Sequence, residues 1–523
     1  MIGRRWVRWV AAVTAFVGLP LLVAAVRLRA FERGQHPALQ PPLAQGDSLP
    51  ATPRHDPAKP TVAVILGADL TEITDALGPY EMFSRAGAFN VYTVAPERRP
   101  TLLSGGLRIL PHYSLAELDA QLGGEPPAIV VVPNIPNIAS AENKPLVEWM
   151  RHQAAAGSLM HSWCTGAMAL AEAGLLDGLT ATAHWGDLSR LAKLYPRVSW
   201  VRGVRWVDHG RVITSAGLTS GIDASLRVLS KVAGEDIAKR VARELRYPNF
   251  RFSTDPAVTP YTVGPADAIL LANLAFRAPR QQIGLALYDG VGEMDLTGLY
   301  DAHAASAAAD LYAVAAPSGT VRSAHGLTLL PSLVASERDG SVGAIRHLDR
   351  FVVPGRDGVK NAALVVGAMR SLAPELEPTY VHADAGQRFA LEPVIEDLAR
   401  TADLPTARFA LKRLEFRSQT VRLEGSAVAW RTLLPSLGLG FLGALVAFGL
   451  SRMLRSRRAL LRGAHEGAGA EPEDRNQQEI LQQTARSLAA AERAGMRETL
   501  ESEQEPELHQ DDTSHRHTGH SLQ

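Results

Sequence analysis

The stretch HSWCTGAMALAEAGLL, at His161–Leu176, contains the only cysteine in the 523 residues of the chain. The apolar residues before Cys164 predict a short strand, and the alanine- and leucine-rich residues after it predict a helix. A side chain at such a turn faces the unpaired amides and the partial positive charge of the helix N-terminus. We therefore expect the pKa of the Cys164 thiol to be lowered and the sulfur to be a nucleophile. The alternative is that Cys164 is a small buried apolar side chain.

Strand and helix patterns alternate on both sides of this stretch. TVAVILGA, at Thr61–Ala68, and AIVVVPN, at Ala128–Asn134, are continuous apolar runs of the kind found in strands that are buried on both faces. A helix-like segment follows each run, and the order repeats in RVITSAG and DASLRVLSKVAG. This alternation predicts an α/β fold with a doubly wound parallel sheet. An acidic residue after the first strand, Asp75, then lies at the same sheet edge as Cys164.

The pattern occurs twice along the chain. Asp75, in LTEITDALGPYEMF, corresponds to Asp295 in VGEMDLTGLYDAH, and Gly106, in GGLRILP, corresponds to Gly326 in HGLTLLP. Both intervals are 220 residues, and a constant interval over about 60 residues indicates an internal repeat. We therefore predict two tandem copies of one domain. Ala385 falls at the position of the cysteine in the second copy, which is expected to be degenerate and to lack thiol chemistry.

Composition narrows the classes of protein. Lys and Arg together number 54, as do Asp and Glu, so the net charge gives no indication of a nucleic-acid partner. With one cysteine, no disulfide can form within the chain, which excludes a disulfide-stabilised secreted scaffold. The length and the 46% apolar content are sufficient for about two to four domains with hydrophobic cores.

Two segments are long and apolar enough to cross a membrane. Trp9–Val26 has 18 residues and Thr432–Ser451 has 20, none of them charged, and about 20 apolar residues span a bilayer core as a helix. Two alternatives remain: the first segment could be a cleaved signal peptide, and both could be buried core helices. The arginine-rich RMLRSRRALLR follows the second segment and predicts a cytoplasmic side there. We therefore expect a protein of the cytoplasmic membrane with two spans and with its α/β domains on the extracytoplasmic side.

These features divide the chain into eight segments. They are a cytoplasmic N-terminus (1–8), a transmembrane helix or signal anchor (9–26), a proline-rich linker (27–60), an α/β domain with the cysteine (61–245), a connector (246–280), a second, degenerate α/β domain (281–425), a transmembrane helix (432–451) and a polar cytoplasmic tail (452–523). Four histidines near the end of the tail could bind a metal, but a solvated tail is the simpler interpretation. No metal and no cofactor are predicted.

Three motifs resemble a known family. CTGAMALAEAGLLDGLTATAHW, RVITSAGLTSGID and DALGPYEMF are similar to the ThiJ/PfpI family, within the class I glutamine amidotransferase-like superfamily. The branch that they resemble contains isonitrile hydratases and the sensor domains of AraC-type regulators. The resemblance implies a flavodoxin-like fold, a cysteine on a nucleophile elbow and, usually, a dimer. In this chain the two tandem copies could form an intramolecular pseudo-dimer, and a homodimer is the alternative.

The resemblance also implies roles for individual residues. Cys164 matches the elbow cysteine, Asp75 matches the acidic residue before the Gly-Pro turn, and Thr165 matches the threonine that follows the cysteine in the isonitrile hydratases. If the chain is an enzyme, we expect Asp75 to manage the proton and Thr165 to orient the intermediate. Proteolytic members have histidine at that position, so peptidase activity is not expected. His184 and Trp185 match a pair near the rim of the pocket, which makes them candidate substrate-binding residues.

Asn134 and Ile135 stand where the family has a glycine pair whose backbone amides stabilise an oxyanion. Their amides are candidate substrate-binding groups, although the glycine conformations are lost. Structural alternatives remain for two site residues: Asp75 could be a helix cap, and His184 could be a hydrogen-bonded structural histidine. Asp223 is expected to be a helix N-cap rather than a catalytic acid.

Two functions are compatible with these residues. In the first, an enzyme of hydratase or hydrolase type uses the Cys164 thiolate to attack an electrophilic carbon of a small substrate. In the second, the chain is a membrane-bound module that senses a ligand or a redox change and has no enzymatic activity. Direct binding of nucleic acid is not expected, because no basic recognition helix is evident where the AraC-type relatives have one.

Overall fold

The computed structural model describes most of the chain. The described residues are 2–33, 49–248, 250, 255–317, 320–336, 342–386, 388–468 and 481–487. The four histidines of the tail, part of the predicted linker and part of the predicted connector lie outside them. The chain divides into two compact units, and the sheets and the candidate site lie within the larger one, residues 9–445.

Helices and strands alternate through the first half of the chain. It begins with one long helix, α1 (Ile2–Arg33). The elements that follow are β1 (Thr61–Ile65), β2 (Leu70–Thr71), α2 (Ile73–Ala86), β3 (Asn90–Ala95), β4 (Thr101–Leu103), β5 (Arg108–Leu110), β6 (Tyr113–Ser114), α3 (Leu115–Gln121), β7 (Ile129–Val132), α4 (Lys144–Ala156), β8 (Leu159–Ser162), α5 (Ala167–Glu172), β9 (Thr180–Ala181), α6 (Leu188–Leu194), β10 (Ser199–Trp200), β11 (Trp206–Asp208), β12 (Val212–Ser215), α7 (Leu218–Ala233) and α8 (Glu235–Glu244).

The alternation continues in the second half and ends in another long helix. The elements there are α9 (Ala268–Phe276), β13 (Gln281–Ala286), α10 (Glu293–Leu299), β14 (Ala309–Ala315), β15 (Val321–Arg322), β16 (Thr328–Leu330), β17 (Leu333–Val334), α11 (Val342–Arg346), β18 (Arg350–Val353), α12 (Gly358–Asn361), α13 (Ala363–Leu372), β19 (Pro378–Tyr380), α14 (Leu391–Thr401), α15 (Leu404–Arg413) and α16 (Trp430–Ala468).

The first sheet has seven strands in the order β11-β12-β8-β7-β1-β3-β6. Neighbouring strands are parallel except for the edge pair β11 and β12. All residues of β1, β7 and β8 are buried, because helices cover both faces: α2 and α7 on one face, α4 and α5 on the other. The predicted doubly wound parallel sheet is therefore confirmed for this part of the chain. Because β1, β7 and β8 are neighbours, the segments after them meet at one edge of the sheet.

The second sheet has five strands in the order β17-β14-β13-β18-β19, and all neighbours are parallel. Its strands begin 219 to 221 residues after β6, β3, β1, β7 and β8, which stand in the same order in the first sheet. Strands β13, β14 and β18 are mostly buried and contribute to the same core cluster as one face of the first sheet. The two sheets are therefore joined through a continuous apolar core.

A third sheet contains strands from both halves, in the order β15-β16-β5-β4-β2. Strand β5 pairs with β16 in antiparallel orientation, with Ile109 opposite Leu329, so that positions 220 residues apart in the sequence face each other. Helices α2 and α10 also pack together, and Glu81 of α2 accepts a hydrogen bond of 2.6 Å from the amide of Met294. Mutual contact between corresponding elements is the geometry of an isologous interface.

Two helix starts differ from the sequence-based expectation. Helix α2 has Glu72 as its N-cap, and the Glu72 carboxylate accepts a hydrogen bond from the Asp75 amide, so Asp75 lies in the first turn and is not the cap. Helix α7 begins at Leu218, which places Asp223 inside the helix rather than at its N-cap. In both cases an apolar first residue, Ile73 or Leu218, is buried in the core, and this burial extends the helix toward its N-terminus.

Among the described residues, two helices are long and apolar enough to cross a membrane, by length and composition alone. They are Trp9–Arg27, with 19 residues and a mean hydropathy of 2.3, and Trp430–Leu461, with 32 residues and a mean hydropathy of 2.0. Both predicted spans fall within these helices. Helices α1 and α16 contact each other through the rings of Phe16 and Phe441, which pack edge to face with centroids 5.3 Å apart.

Candidate active site

The candidate site is built on the turn between β8 and α5. Cys164 has a φ of 52°, a left-handed conformation that is uncommon and strained for a residue with a side chain. Its amide donates to Ala216 O at 3.1 Å and to Ser215 Oγ at 3.2 Å, so the loop after β12 holds this conformation. Gly166 closes the turn, because a Cβ there would lie 2.0 Å from the carbonyl oxygen of Val132. The predicted strand-to-helix elbow at the cysteine is confirmed.

The indole of Trp163 packs directly beneath the elbow. Its Nε1 donates to His161 Nε2 at 3.0 Å and to Ser225 Oγ at 2.9 Å, so the buried ring has its polar atom satisfied. A Cβ at Gly78 or Gly221 would lie 3.0 Å or 2.4 Å from this ring. Two neighbouring helices can therefore approach the indole only because glycine stands at these positions.

Asp75 lies in the first turn of α2 and is completely buried. Its Oδ2 accepts a hydrogen bond of 3.1 Å from the amide of Asn134, whereas its Oδ1 has no hydrogen-bond partner among the residues that the structure describes. Burial raises the pKa of Asp75 from 3.8 to about 7, while the hydrogen bond from Asn134 lowers it. Asp75 can therefore hold or release a proton near neutral pH.

The environment of the thiol differs from the expectation. Burial raises the pKa of Cys164 well above its usual range, and the carboxyls of Asp75, Glu72 and Asp187 raise it further against an opposing effect of Arg413. The prediction of a lowered pKa is therefore wrong. Helix α5 has only six residues, and its partial charge does not offset three nearby carboxyl groups. The thiol is the resting form, and a base is needed to generate the thiolate.

Thr165 connects the cysteine to another acid. Its hydroxyl lies 3.9 Å from Cys164 Sγ and donates to Asp187 Oδ2 at 2.7 Å. Asp187 is also paired with Arg190, at 2.9 Å, on the more exposed side. The Thr165 hydroxyl can therefore accept a hydrogen bond from a group at the sulfur while Asp187 fixes its orientation.

A cation from the second half of the chain reaches this site. Arg413, at the end of α15, donates from Nη1 to Asp301 Oδ1 at 2.9 Å, and its Nη2 lies 3.6 Å from Glu72 Oε1. Asp301 also accepts a hydrogen bond from the Thr74 hydroxyl, beside Asp75. Burial raises the pKa of Glu72, as does the neighbouring Asp301 carboxyl. Arg413 is thus shared by two carboxyl groups close to the thiol.

His184 and Trp185 contact protein backbone. His184 Nε2 donates to Arg413 O at 3.1 Å, and Trp185 Nε1 donates to Lys412 O at 3.3 Å. Gly186 N donates to His184 Nδ1, so both imidazole nitrogens have partners. These contacts support the structural alternative for His184, and a role of either residue in substrate binding stays a prediction.

The predicted oxyanion amides have a different environment from that expected. The amide of Asn134 is already bonded to Asp75, and its carbonyl accepts from Glu72 N at 2.9 Å. Ile135 is buried and packs against Gly67, where an added Cβ would lie 2.7 Å from the Ile135 side chain. The structure brings Cys164, Thr165, Asp75 and Asn134 together, and it gives Ile135 a packing role.

A small cavity of about 20 Å³ lies next to Ala216 in the loop that holds the elbow, but Cys164 does not line it. Its lining includes two aromatic rings, Trp185 and Tyr261, and two charged side chains, Arg202 and Glu415. Glu415 comes from the segment after α15, and its carboxylate accepts a hydrogen bond of 2.7 Å from Ser220 Oγ at the start of α7. The second half of the chain therefore contributes to the cavity wall as well as to the charges near the sulfur.

Sequence reasoning missed four charged residues of the site: Glu72, Asp187, Asp301 and Arg413. Two of them could have been found from their position in the sequence. Glu72 stands three residues before Asp75, and Asp187 stands three residues after His184. Asp301 and Arg413 are more than 100 residues from the cysteine, and nothing in the sequence connects them with it.

One other cluster has the residue types of a metal site. Ligand atoms of Glu81, Glu293 and His325 lie within 4.8 Å of one another, in the part of the chain that the structure describes. Their polar atoms already have protein partners: Glu81 accepts from Arg85 and Met294 N, and Glu293 accepts from His325 Nδ1 at 2.7 Å. One ion pair lies within α2 and the other within the second half of the chain, and the hydrogen bond from Met294 N to Glu81 joins the two.

Part of the chain is similar to known proteins. Residues 60–231 match the profile of the DJ-1/PfpI family. The chain is similar to isonitrile hydratase of Pseudomonas putida, with 29% identity over 174 residues, which is 33% of this chain and 72% of the hydratase. It is also similar to the HTH-type transcriptional regulator GbdR of Pseudomonas aeruginosa, with 27% identity over 190 residues, which is 36% of this chain and 50% of the regulator.

Two solved structures are also similar to part of the chain. A ThiJ/PfpI family protein from Pseudomonas syringae is 22% identical, covers 45% of this chain and 88% of its own, and has a TM-score of 0.33. An AraC family transcriptional regulator from Pseudomonas putida is 17% identical, covers 36% of this chain and 100% of its own, and has a TM-score of 0.30.

Proposed function

Because this chain belongs to the DJ-1/PfpI family through residues 60–231, we propose that Cys164 acts as the nucleophile on a small electrophilic substrate, in a reaction of hydratase or hydrolase type. The observation that carries the proposal is the elbow, where Cys164 is held at a φ of 52° close to a buried acid, Asp75, one oxygen of which has no hydrogen-bond partner among the described residues. A strained, well-supported nucleophile beside a group that titrates near neutrality is typical of catalytic sites.

The residues define a two-step reaction. In the first step the thiol proton passes to Asp75, the sulfur bonds to the electrophilic carbon as a multiple bond of the substrate loses one bond order, and Asp75 delivers the proton to the substrate. With an isonitrile the proton is added to the carbon and a thioimidate forms, whereas with an amide the nitrogen is protonated and leaves as the amine, so that a thioester forms. In the second step water displaces the sulfur at the carbon, and a water proton returns to the thiol. Thr165, oriented by Asp187, hydrogen-bonds the intermediate. Peptidase activity is not part of the proposal, because Thr165 occupies the position of the peptidase histidine.

A screen with the full chain in a nonionic detergent tests this proposal. Isonitriles, α-oxoaldehydes and small amides are the substrates, and Cys164→Ala and Cys164→Ser are the variants. We expect turnover of one class and a loss of at least about 100-fold in both variants, because neither replacement supplies a comparable nucleophile. Asp75→Asn should lower kcat by about 100- to 10000-fold. Glu148→Gln, at an exposed position of α4, should leave kcat unchanged. Turnover that survives in Cys164→Ala would contradict a covalent mechanism.

We also propose that the protein is anchored in the cytoplasmic membrane by two spans, with the α/β domains outside the cytoplasm. Support comes from the length and hydropathy of the two apolar helices and from the arginine-rich segment that follows the second. Alkaline carbonate should leave the chain in the membrane fraction. Protease added to the outer face should digest the α/β domains and spare an epitope on the C-terminal tail. Extraction by carbonate, or digestion of the tail alone, would contradict this topology.

One observation favours a second function, a ligand or redox sensor. Helix α15 has Arg413 at its C-terminal end, close to the cysteine, and Asp403 as its N-cap. Asp403 forms a buried ion pair with Arg277, and Arg277 Nε donates to the hydroxyl of Thr432 at 3.3 Å, at the base of α16. A single helix of ten residues thus connects the surroundings of the thiol with the root of the second apolar helix.

Hydrogen exchange distinguishes the sensor from the enzyme. Methyl methanethiosulfonate is used to cap Cys164, and amide exchange is followed in residues 403–432. A sensor should change protection in this segment and not in α4, and Cys164→Ala should abolish the response to the reagent. Equal protection before and after capping would remove the support for signalling through α15.

We further propose that the two halves form an intramolecular pseudo-dimer. The chain then needs no second copy to complete the site. The equal strand order, the constant interval and the pairing of Ile109 with Leu329 support this arrangement. Light scattering of the detergent-solubilised chain should give one chain per particle, and a stable homodimer would contradict the proposal.

A further inference from the structure

The carboxyl groups around the thiol are not all paired with cations. Arg413 is shared by Asp301 and Glu72, and Arg190 pairs with Asp187 at 2.9 Å. These contacts leave more carboxyl groups than cations beside the sulfur.

Asp75 is the carboxyl that these cations do not pair with. Among the described residues its Oδ1 has no hydrogen-bond partner, and its Oδ2 is bonded to a neutral amide, that of Asn134. Arg413 lowers the pKa of Asp75 through space, but no direct ion pair joins them among the described residues. A buried ionised carboxylate without a direct ion pair gives its surroundings a negative potential, because buried charges are screened less than exposed ones.

Resting on the proposed nucleophile, we infer that the Cys164 site selects uncharged or cationic electrophiles and rejects anionic ones. An anionic substrate would have to approach the negative charge that lies on the Asp75 carboxylate or, after proton transfer, on the sulfur, while the guanidinium of Arg413 is already engaged with Asp301. A cationic or neutral substrate meets no such repulsion. Charges of one sign around a binding site raise the local concentration of oppositely charged molecules by about 10- to 1000-fold.

One cation nearby argues in the other direction. Arg202 lines the adjoining cavity, where it donates to neutral acceptors, Trp185 O at 2.8 Å and Ser189 Oγ at 2.9 Å. Glu415 lines the same cavity, so the cavity wall carries one charge of each sign. Arg202 is exposed, where solvent screens its charge, and Asp75 is completely buried. The buried carboxylate therefore determines the preference at the sulfur.

The single cysteine makes a direct test possible without a known substrate. The full chain in nonionic detergent is treated at pH 8.5 and low salt with three methanethiosulfonates: the trimethylammonium-ethyl reagent, the sulfonato-ethyl reagent and the neutral methyl reagent. In each case the Cys164 thiolate displaces methanesulfinate and forms a mixed disulfide, which is followed by intact mass. Rates are divided by those of the urea-unfolded chain, so that the intrinsic reactivities of the reagents cancel.

We expect the normalised cation-to-anion rate ratio to be at least about tenfold. The ratio should fall in Asp75→Asn and, as a second variant on a more exposed residue, in Asp187→Asn. Glu148→Gln, a remote acid on α4, should leave it unchanged. Added salt at 0.5 M and a change to pH 6, where Asp75 gains its proton, should both reduce the ratio.

Two failures have different meanings. A reactive Cys164 that labels equally fast with both charged reagents, or faster with the anion in a manner lost in Arg202→Gln, overturns the inferred substrate class and leaves the nucleophile standing. A cysteine that none of the three reagents labels in the folded chain overturns the proposed nucleophile and this inference with it.

Discussion

Cys164 and Asp75 are both held in states that the rest of the protein must stabilise. The cysteine has a left-handed backbone, and Asp75 is a carboxyl in the core that forms no direct ion pair with the described residues. Each arrangement lowers the stability of the fold by a few kcal/mol, about 1–3 for the backbone strain. Residues that cost stability and persist in a well-packed environment are characteristic of functional sites.

The backbone strain at Cys164 can be measured with two variants that both remove the thiol. Glycine adopts a φ of 52° without a Cβ penalty, whereas alanine does not. We therefore expect Cys164→Gly to have a free energy of unfolding about 1 kcal/mol above that of Cys164→Ala. Urea denaturation in detergent provides the comparison. A lower stability for Cys164→Gly would mean that the elbow is not strained.

Asp75 should make stability depend on pH. Its pKa is about 7 in the folded chain and 3.8 as the ordinary value, so the folded state binds the proton more tightly. Stability contributed by this group is therefore highest below about pH 4 and falls as the pH rises toward 7. Asp75→Asn removes that loss and should raise the free energy of unfolding at pH 8 by up to about 4 kcal/mol, from 1.36 kcal/mol per pKa unit.

The measurement is urea denaturation of both proteins at pH 4 and pH 8. The gain in Asp75→Asn should be much smaller at pH 4, where the native carboxyl is protonated. Asp177→Asn, which replaces an acid paired with Arg197 at the surface, is the matched control and should show a small effect at either pH. An equal effect of Asp75→Asn at both pH values would contradict the raised pKa.

At the scale of elements, close contacts between helices depend on single glycines. The carbonyl oxygen of Ala15, in α1, would lie 2.4 Å from a Cβ at Gly443 in α16, and Phe16 would lie 2.9 Å from a Cβ at Gly440. Small residues allow two helix backbones to approach in this way, and van der Waals contact then stabilises the pair. The pairing of α1 with α16 thus has a specific and testable location.

Gly443→Leu should separate α1 from α16. Because the new side chain would overlap the α1 backbone, we expect a loss of about 1–3 kcal/mol in stability, seen as a lower thermal midpoint in detergent. Gly438→Leu, in the same helix, is the matched control, since a Cβ at Gly438 meets no atom within 4 Å. Equal midpoints for the two variants would show that the glycine contact is unimportant.

At the scale of the whole molecule, a cluster of ionisable side chains lies where α2 contacts the second half of the chain, and the hydrogen bond from Met294 N to Glu81 crosses this contact. Glu293 accepts from His325 Nδ1 at 2.7 Å, and Glu81 is bonded to Arg85 and to Met294 N. Burial lowers the pKa of His325, but Glu293 outweighs this effect and the net shift is upward. The protonated imidazole therefore offsets the two buried carboxylates between the halves.

Raising the pH should weaken the ion pair of His325 with Glu293. A histidine with a raised folded pKa contributes stability that is fully present below the unfolded pKa of about 6.5 and is lost as the pH rises through the folded pKa. We expect His325→Gln to reduce the difference in the free energy of unfolding between pH 6 and pH 9. His347→Gln, at an exposed position, is the control and should leave that difference unchanged. An unaltered pH dependence in His325→Gln would contradict the assigned ion pair.

The sequence by itself determined the first sheet and the elbow, because both depend on local information. Continuous apolar runs such as that at Thr61–Ile65 predict buried parallel strands. The change from such a run to a helix pattern predicts the turn at Cys164. Parallel order then brings Asp75, Asn134 and Cys164 to one edge without further detail. Helix starts were less certain, since burial of Ile73 and Leu218 outweighed the capping preferences of Asp75 and Asp223.

The tertiary structure alone decided the ionisation of the site. A pKa depends on burial and on every charge within a few ångströms, and two of those charges, Asp301 and Arg413, come from residues far away in the chain. The sequence placed the thiol at a helix start and indicated a lowered pKa, whereas the folded chain surrounds the thiol with carboxyl groups that raise it. Long-range packing, which no local pattern records, is the physical reason for this difference.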